Sequence, residues 1–232
     1  VYEEEGYAPS DIPGLILAHN LFGTEIDPRA GALAAFALTM KARAKQRTFF
    51  SKQVEPNICV IEPISFSPGD LDFLVTKDGD RHSEEAFWNQ FADGDTFGSL
   101  IKPDPDLTVR LARHLDRLED GGDLLRADTL ERASKVVHQA EYLAPRYTVA
   151  VANPPYMQSD NMNDMLRELA QSKFPDAKAD LFAMFIDRNR SLVVDAGLIG
   201  MITMNSWMYL KSFEAIRRAT LFKGQLLTLV DV

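Results

Sequence analysis

Cysteine is nearly absent: Cys59 stands alone among 232 residues. A single thiol excludes an internal disulfide and fits a reducing compartment, so cytoplasm is the expected location. Long apolar runs are lacking too. The longest, GALAAFALTM at residues 31–40, is too short to span a bilayer and runs straight into KARAKQR. It reads as a helix of a soluble protein, and no membrane partner is expected. Positive charge is in deficit, with 25 Lys and Arg against 34 Asp and Glu, for a net charge of −9. Phosphates are met mostly by Lys and Arg, so this balance argues against a large nucleic-acid footprint built from the chain's own charge. Any grip on DNA must be local or lie elsewhere. No internal repeat or low-complexity tract occurs, and no metal is expected.

What is present is a core. At 46% hydrophobic residues the chain can fill one large domain, or one domain with an insertion. The most informative stretch is YTVAVANPPYMQ, residues 147–158, where a β-rich run suited to a buried strand ends in an amide, two prolines and an aromatic ring. Two prolines remove two backbone donors and fix two φ angles, so neither ladder nor helix continues through them. A rigid turn at the carboxyl end of a buried strand is where open α/β sheets place ligands.

The parts of that turn point to one chemistry. The Asn153 side-chain carbonyl and the Pro154 backbone carbonyl are two fixed acceptors, which suits an amino group with two hydrogens, and Pro155 holds the geometry. Tyr156 offers a face on which a planar ring can stack. An exocyclic NH₂ on an aromatic or amide plane is a poor nucleophile because its lone pair is delocalised. Hydrogen bonds from it to both carbonyls favour a pyramidal nitrogen able to attack a methyl group in line. Allowing Asp for Asn and any aromatic at the end, average composition places such a tetrapeptide by chance in on the order of one chain in a few hundred.

The remaining chain supplies a frame. Residues 21–26 read as a short strand ending near Glu25, with Asp27 and Pro28 opening a helix whose Leu33, Phe36, Ala37 and Met40 recur at helical spacing and are expected to be buried. Residues 49–121 are punctuated by EPISFSPGD, TKDGDRHS and KPDPD and read as an insertion, a surface elaboration between core elements 1–48 and 122–232. In GGDLLRADTLERA a short apolar run is expected to end at Asp128. DLFAMFIDRNRSLVV reads as an amphipathic helix with Leu181, Phe185, Ile186, Leu192 and Val193 on or near one face. AGLIGMITMNSW is expected to be a turn and a buried strand, SFEAIRRATLF a helix, and LLTLVDV a last strand. The alternation gives the expected fold class: α/β, a doubly wound, mostly parallel sheet with a mainly helical and loop insertion.

NPPY after a VAVA strand, with GTEIDPRA upstream and DLFAMFIDR and GLIGMITMNSWM downstream, resembles the amino-group DNA methyltransferases that make N6-methyladenine from S-adenosylmethionine. With YEEEGY, NLFGTEIDPRAGALAAFALTMKAR and FGSLI in order before NPPY, it is similar to the large adenine methyltransferases of bacteriophage-exclusion (BREX) defence systems. The resemblance implies a Rossmann-like methyltransferase sheet, S-adenosylmethionine as methyl donor, double-stranded DNA as partner mainly through regions outside these residues, and other phage-defence proteins as further partners. It implies roles by position. Glu25 would accept from the donor's ribose hydroxyls, Ile26 would pack on its adenine, and Asp128, with Asp123 as rival, would accept from that adenine's amino group. Phe185 would line the donor pocket, and Asn153, Pro154, Pro155 and Tyr156 would hold a flipped target adenine. Ile26 and Phe185 also suit ordinary core positions, and Asp128 a helix cap.

Departures are plain as well. The chain opens VYEEEGYAPSD without an initiator methionine, and the family's glycine-rich donor loop of the DPxxGSG kind is absent. A central piece of a longer protein is therefore expected, a strand short and weak in donor binding by itself. Thr148 stands where the family often has an acid, and Ala196 replaces the first glycine of a common Gly-Gly turn. Two other functions share features of the site: methyl transfer to the glutamine amide of proteins, and a catalytically silent scaffold.

Overall fold

The structure, a computed structural model, describes residues 1–223 and 226–230. It is mixed α/β with parallel strands and divides into two compact units, residues 1–144 and 145–232. Among the described residues no helix is long and apolar enough to cross a membrane.

The first unit begins with α1 (Ile12–His19), β1 (Phe22–Glu25) and α2 (Pro28–Lys45). Asp27 caps α2 by accepting from the Arg29 N–H, and Pro28 takes the first helical position, as the local sequence predicts. The expected buried face of α2 is not the one observed. Leu33 and Phe36 are 67% and 61% exposed, while Gly31 and Ala42 are buried. An alanine-rich helix has apolar residues on more than one side, and the side that packs is the one where Gly31 lets the helix approach Val60 closely.

Residues 49–121 are more than a surface elaboration. They supply β2 (Asn57–Val60), which pairs in parallel with β1 in the register Phe22↔Asn57 to Glu25↔Val60. Asn57 also donates to the carbonyls of Leu17 and Ala18, satisfying orphan acceptors at the end of α1. After β2 come α3 (Pro68–Leu74), α4 (Arg81–Trp88), α5 (Gly94–Phe97), α6 (Pro105–Leu115) and α7 (Leu124–Leu143). Ile61, Phe66, Leu74, Phe87, Trp88, Phe91 and Leu111 share one core with Ala133, Val136, Ala140 and Leu143 of α7. Burial pushes the Cys59 thiol in this core up to about 11, which suits packing rather than reactivity.

The expected apolar run ending at Asp128 is instead the first part of α7. Asp123 caps that helix by accepting from the Leu125 N–H, and Leu124, Leu125, Arg126 and Ala127 propagate it through position 128. One titrating contact ties α3 to α7. Asp70 completes a capping box with Ser67 and also accepts from the Thr129 hydroxyl and Arg132. Burial raises the Asp70 carboxyl, but hydrogen bonds from Thr129, Ser67 and Arg132 outweigh it and hold the pKa at about 2. A depressed folded pKa stabilises above the unfolded value and is lost as pH falls from 3.8 toward about 2. Asp70→Asn is expected to cost about 1 kcal/mol at neutral pH, allowing for the part of the side chain left in water. Denaturant melts of both proteins should converge as pH falls through that window; parallel curves would remove the pH linkage.

The second unit contains β3 (Tyr147–Ala152), α8 (Asp164–Lys173), α9 (Leu181–Leu192), β4 (Val193–Met201) and α10 (Glu214–Arg218). β3 and β4 are parallel, with Val149↔Leu198 through Ala152↔Met201 in register. Neither is a buried strand as expected: Val151 is 82% exposed, and Val149, Leu198 and Ile199 are exposed too. The strand pair is irregular between Tyr147 and Val149, where β4 carries extra residues and Ala196 adopts φ +63°. Glycine reaches such a left-handed position without the Cβ penalty that alanine carries. In α9 the buried residues are Leu181 to Met184, Arg188 and Asn189, while Phe185, Ile186 and Leu192 are only half-buried. The expected last strand does not form at residues 226–230, and Asp231 and Val232 lie outside the described residues.

Candidate active site

In the second unit β3 delivers the turn as its sequence predicts. The strand ends at Ala152, the Ile202 N–H donates to the Ala152 carbonyl at 3.2 Å, and the next residues are Asn153, Pro154, Pro155 and Tyr156. Pro154 is buried and anchors the turn, while Asn153, Pro155 and Tyr156 are exposed. The one side-chain hydrogen bond at Asn153 among the described residues is a long one, from the Tyr156 hydroxyl to Oδ1 at 3.4 Å. An exposed amide so lightly held can accept from an incoming donor. The Tyr156 ring meets Phe182 edge-on at 6.2 Å between centroids, and Phe182 in turn packs against Phe213 at 5.5 Å. The tyrosine ring is thereby braced by a second aromatic ring.

The turn is held from its far side by a residue that sequence reasoning did not single out. Asp180, 3% exposed, caps α9: its Oδ1 accepts from the Phe182 N–H at 3.2 Å and also from the Met157 N–H at 3.1 Å. The backbone reinforces this link, with Leu181 N–H donating to Met157 O at 2.9 Å and Ser159 N–H to Ala179 O at 3.1 Å. One carboxylate thus fixes the helix that carries Phe182 and the residue after Tyr156. The signal for Asp180 was an Asp directly before an apolar helical run, a cap pattern whose second partner, 23 residues back, has no local trace. Phe185, expected to line the donor pocket, is half-buried on the same helix, one turn beyond the ring that meets Tyr156.

In the first unit Glu25 closes β1. Its Oε1 accepts from the N–H groups of Ile26 at 2.8 Å and Asp27 at 3.2 Å, and Oε2 has no partner among the described residues. The carboxylate is oriented by its own loop and keeps one oxygen for a ligand. Ile26 beside it is 48% exposed. The FGSLI segment, residues 97–101, arrives at this strand end. Ser99 Oγ and Thr24 Oγ1 are 2.7 Å apart, and Gly98, at φ +48°, lies so near Ile26 that a Cβ there would sit 2.8 Å from Ile26 Cγ2. The structure therefore brings together Glu25, Ile26, Gly98 and Ser99, a grouping that a separation of 75 residues hides from local pattern. Asp128 is placed differently from expectation. It is exposed on α7 and paired with Arg132 at 2.8 Å, and the rival Asp123 is the cap of that helix, so neither ends a strand.

A parallel strand closed by an acid, and another closed by Asn-Pro-Pro-Tyr, are the features on which the resemblance to amino-group methylases rests. Comparison makes this specific: residues 19–232 match the family described as Eco57I restriction-modification methylase, and the chain belongs to that family. It is 36% identical over 243 aligned positions to "Adenine-specific methyltransferase BrxX" of Escherichia coli O9:H4 (strain HS), covering 94% of this chain and 20% of that protein. It is 35% identical over 230 positions to "Adenine-specific methyltransferase PglX" of Lacticaseibacillus casei (strain Zhang), covering 94% of this chain and 19% of that protein. The chain thus spans about a fifth of the length of these curated relatives.

Proposed function

We propose that this chain is the central catalytic part of an S-adenosylmethionine-dependent DNA adenine N6-methyltransferase acting in phage defence. The observation that carries this is the exposed Asn153 amide and rigid diproline turn at the end of a parallel strand, with Tyr156 backed by Phe182. Family membership and two relatives named as adenine-specific methyltransferases support the choice of adenine over other amino groups. The parallel strands are proposed to belong to a doubly wound, Rossmann-like sheet. In it β2 counts as a core strand, and the insertion within 49–121 begins after it.

The residues at the end of β1 fit the adenosine part of the donor. A carboxylate oxygen without a partner suits two ribose hydroxyls, a half-exposed isoleucine suits an adenine face, and Gly98 leaves the space a Cβ would fill. Glu25 and Ile26 are proposed to hold that part, with Ser99 placed beside them through its contact with Thr24. Phe185 remains a proposed wall of the donor pocket. Bound S-adenosylmethionine supplies an electrophilic methyl group. Asn153 Oδ1 and the Pro154 carbonyl accept the two amino hydrogens of the target adenine, Tyr156 stacks on its ring, and Pro155 keeps the acceptors from rotating away. Accepting both hydrogens localises the nitrogen lone pair and stabilises the positive charge that grows on the amine.

The test uses the full-length protein with methyl-labelled donor, offered duplex DNA and a glutamine-containing protein substrate side by side. Label in DNA as N6-methyladenine is expected; label on a glutamine side chain would replace the DNA assignment, and label on neither would favour a scaffold. In the same preparation Glu25→Ala is expected to weaken donor binding by about 10–100-fold in calorimetric titration, the range for lost charge-assisted hydrogen bonds. Unchanged donor affinity would remove Glu25 from the site.

A further inference from the structure

The acidic chain gathers cations at one concave place. A cavity of about 580 Å³ in the first unit is lined by Arg110, Arg113 and His114 of α6, by Arg117 just past its end, and by Lys77 from the loop after α3. The arrangement is built from inside. Glu84 of α4, fully buried, accepts from the Thr76 backbone N–H at 2.6 Å and hydroxyl at 2.7 Å, and pairs with Arg110 at 3.0 Å. Gly79 sits so close to this carboxylate that any Cβ would collide with it. Glu84 thereby fastens the Lys77 loop beside α6 and accounts for the charge of Arg110. Lys77, Arg113 and Arg117 are exposed and form no ion pair or side-chain hydrogen bond among the described residues. His114 Nε2, shielded from water in the same wall, also lacks a partner.

Two carboxylates, Asp78 and Asp106, share the lining. Asp106 lies in the first turn of α6, seven residues from Arg113, which is about 10 Å along the axis. Asp78 follows Lys77 in the neighbouring loop, and neither carboxylate pairs with Arg113 or Arg117 among the described residues. The carbonyl end of α6 gives a sufficient reason for Arg113 and His114 but none for Lys77, which comes from another segment. Three unpaired cations converging on one hollow describe a receptor for phosphate oxygens, and arginine suits these by its forked donors.

We propose that this hollow on α6 is a phosphate-binding site that contacts the sugar-phosphate backbone of DNA, a local cationic contact on a chain whose overall charge is unfavourable. It positions the duplex without reading its sequence. The assignment shares the DNA substrate with the proposed function but does not depend on methyl transfer, because its readout is binding.

The test is the triple variant Lys77→Ala, Arg113→Ala, Arg117→Ala in the full-length protein. All three side chains are exposed, so thermal melting should match that of the unmodified protein. Duplex affinity is followed by fluorescence anisotropy across salt concentrations, with tripolyphosphate as a free-anion probe. The triple variant is expected to reduce the slope of log K against log salt by about 2–3 and to weaken binding about 10–100-fold near 0.1 M salt, equally for duplexes of different sequence. Loss of tripolyphosphate binding with unchanged DNA affinity would assign the site to a free phosphorylated ligand and overturn the DNA part. No change with either probe would overturn the site. Loss of discrimination among sequences would overturn the backbone role. DNA binding that follows the expected pattern in a protein that does not methylate adenine would uphold this site and sink only the proposed reaction.

Discussion

Asn153→Ala is expected to lower adenine methylation by about 10²–10³-fold in kcat or more while S-adenosylmethionine affinity stays unchanged. The magnitude follows from removing one of two preorganised acceptors for an amine that becomes positively charged as it is methylated. The separation of effects follows from the structure. Asn153 is exposed, and its single side-chain hydrogen bond among the described residues is a long one from Tyr156, so the change costs the fold little. Asn153→Asp keeps an acceptor in the same place and should retain a substantial part of the rate. Single-turnover formation of N6-methyladenine, read beside calorimetric titration of the donor, checks both statements. Equal loss of rate and donor binding would mean that Asn153 serves the fold, and an active alanine variant would remove it from the chemistry.

That site was legible in sequence because its determinants are local. Proline fixes φ wherever it stands, so NPPY announces a rigid strand exit without reference to the rest of the chain. The cap formed by Asp27 and Pro28 is legible for the same reason, and it placed Glu25 at the end of β1. What sequence concealed has four physical causes. The run before Asp128 is short and apolar, and periodicity cannot separate a strand from the first turns of a helix over such a length; α7 took it. β2 is four residues bounded by prolines in EPNICVIEP, which reads as turn until β1 is there to pair with it. The approach of Ser99 to Thr24 is a tertiary contact, and only folding the core that includes Phe91, Leu111 and α7 brings FGSLI to the acidic strand end. α2 buries a face other than the expected one because alanine supports packing on several faces, and Gly31 decides which one approaches the sheet.

Asp180→Ala is the second large effect, and it acts through position rather than contact with substrate. Replacing the buried carboxylate leaves the N–H groups of Met157 and Phe182 without their shared acceptor. Loss of a helix cap costs about 1 kcal/mol, and a second stranded donor raises the total to about 2–3 kcal/mol. For a chain of this size that corresponds to a fall in Tm of about 5–10 °C. The same change loosens the support of Tyr156 from both directions, since Met157 follows it in sequence and Phe182 meets its ring. Methylation per folded molecule is therefore expected to drop about tenfold, in kcat more than in donor affinity, because a stacking face that wanders costs alignment at the reacting nitrogen. Asp180→Asn, which keeps Oδ1 as an acceptor, should restore most of the rate and part of the stability. A cap with no other duty would lower Tm and leave the rate of the remaining folded protein unchanged in Asp180→Ala. Measuring kcat below the melting transition of both variants separates that outcome from a residue that holds the Asn-Pro-Pro-Tyr turn in its working shape.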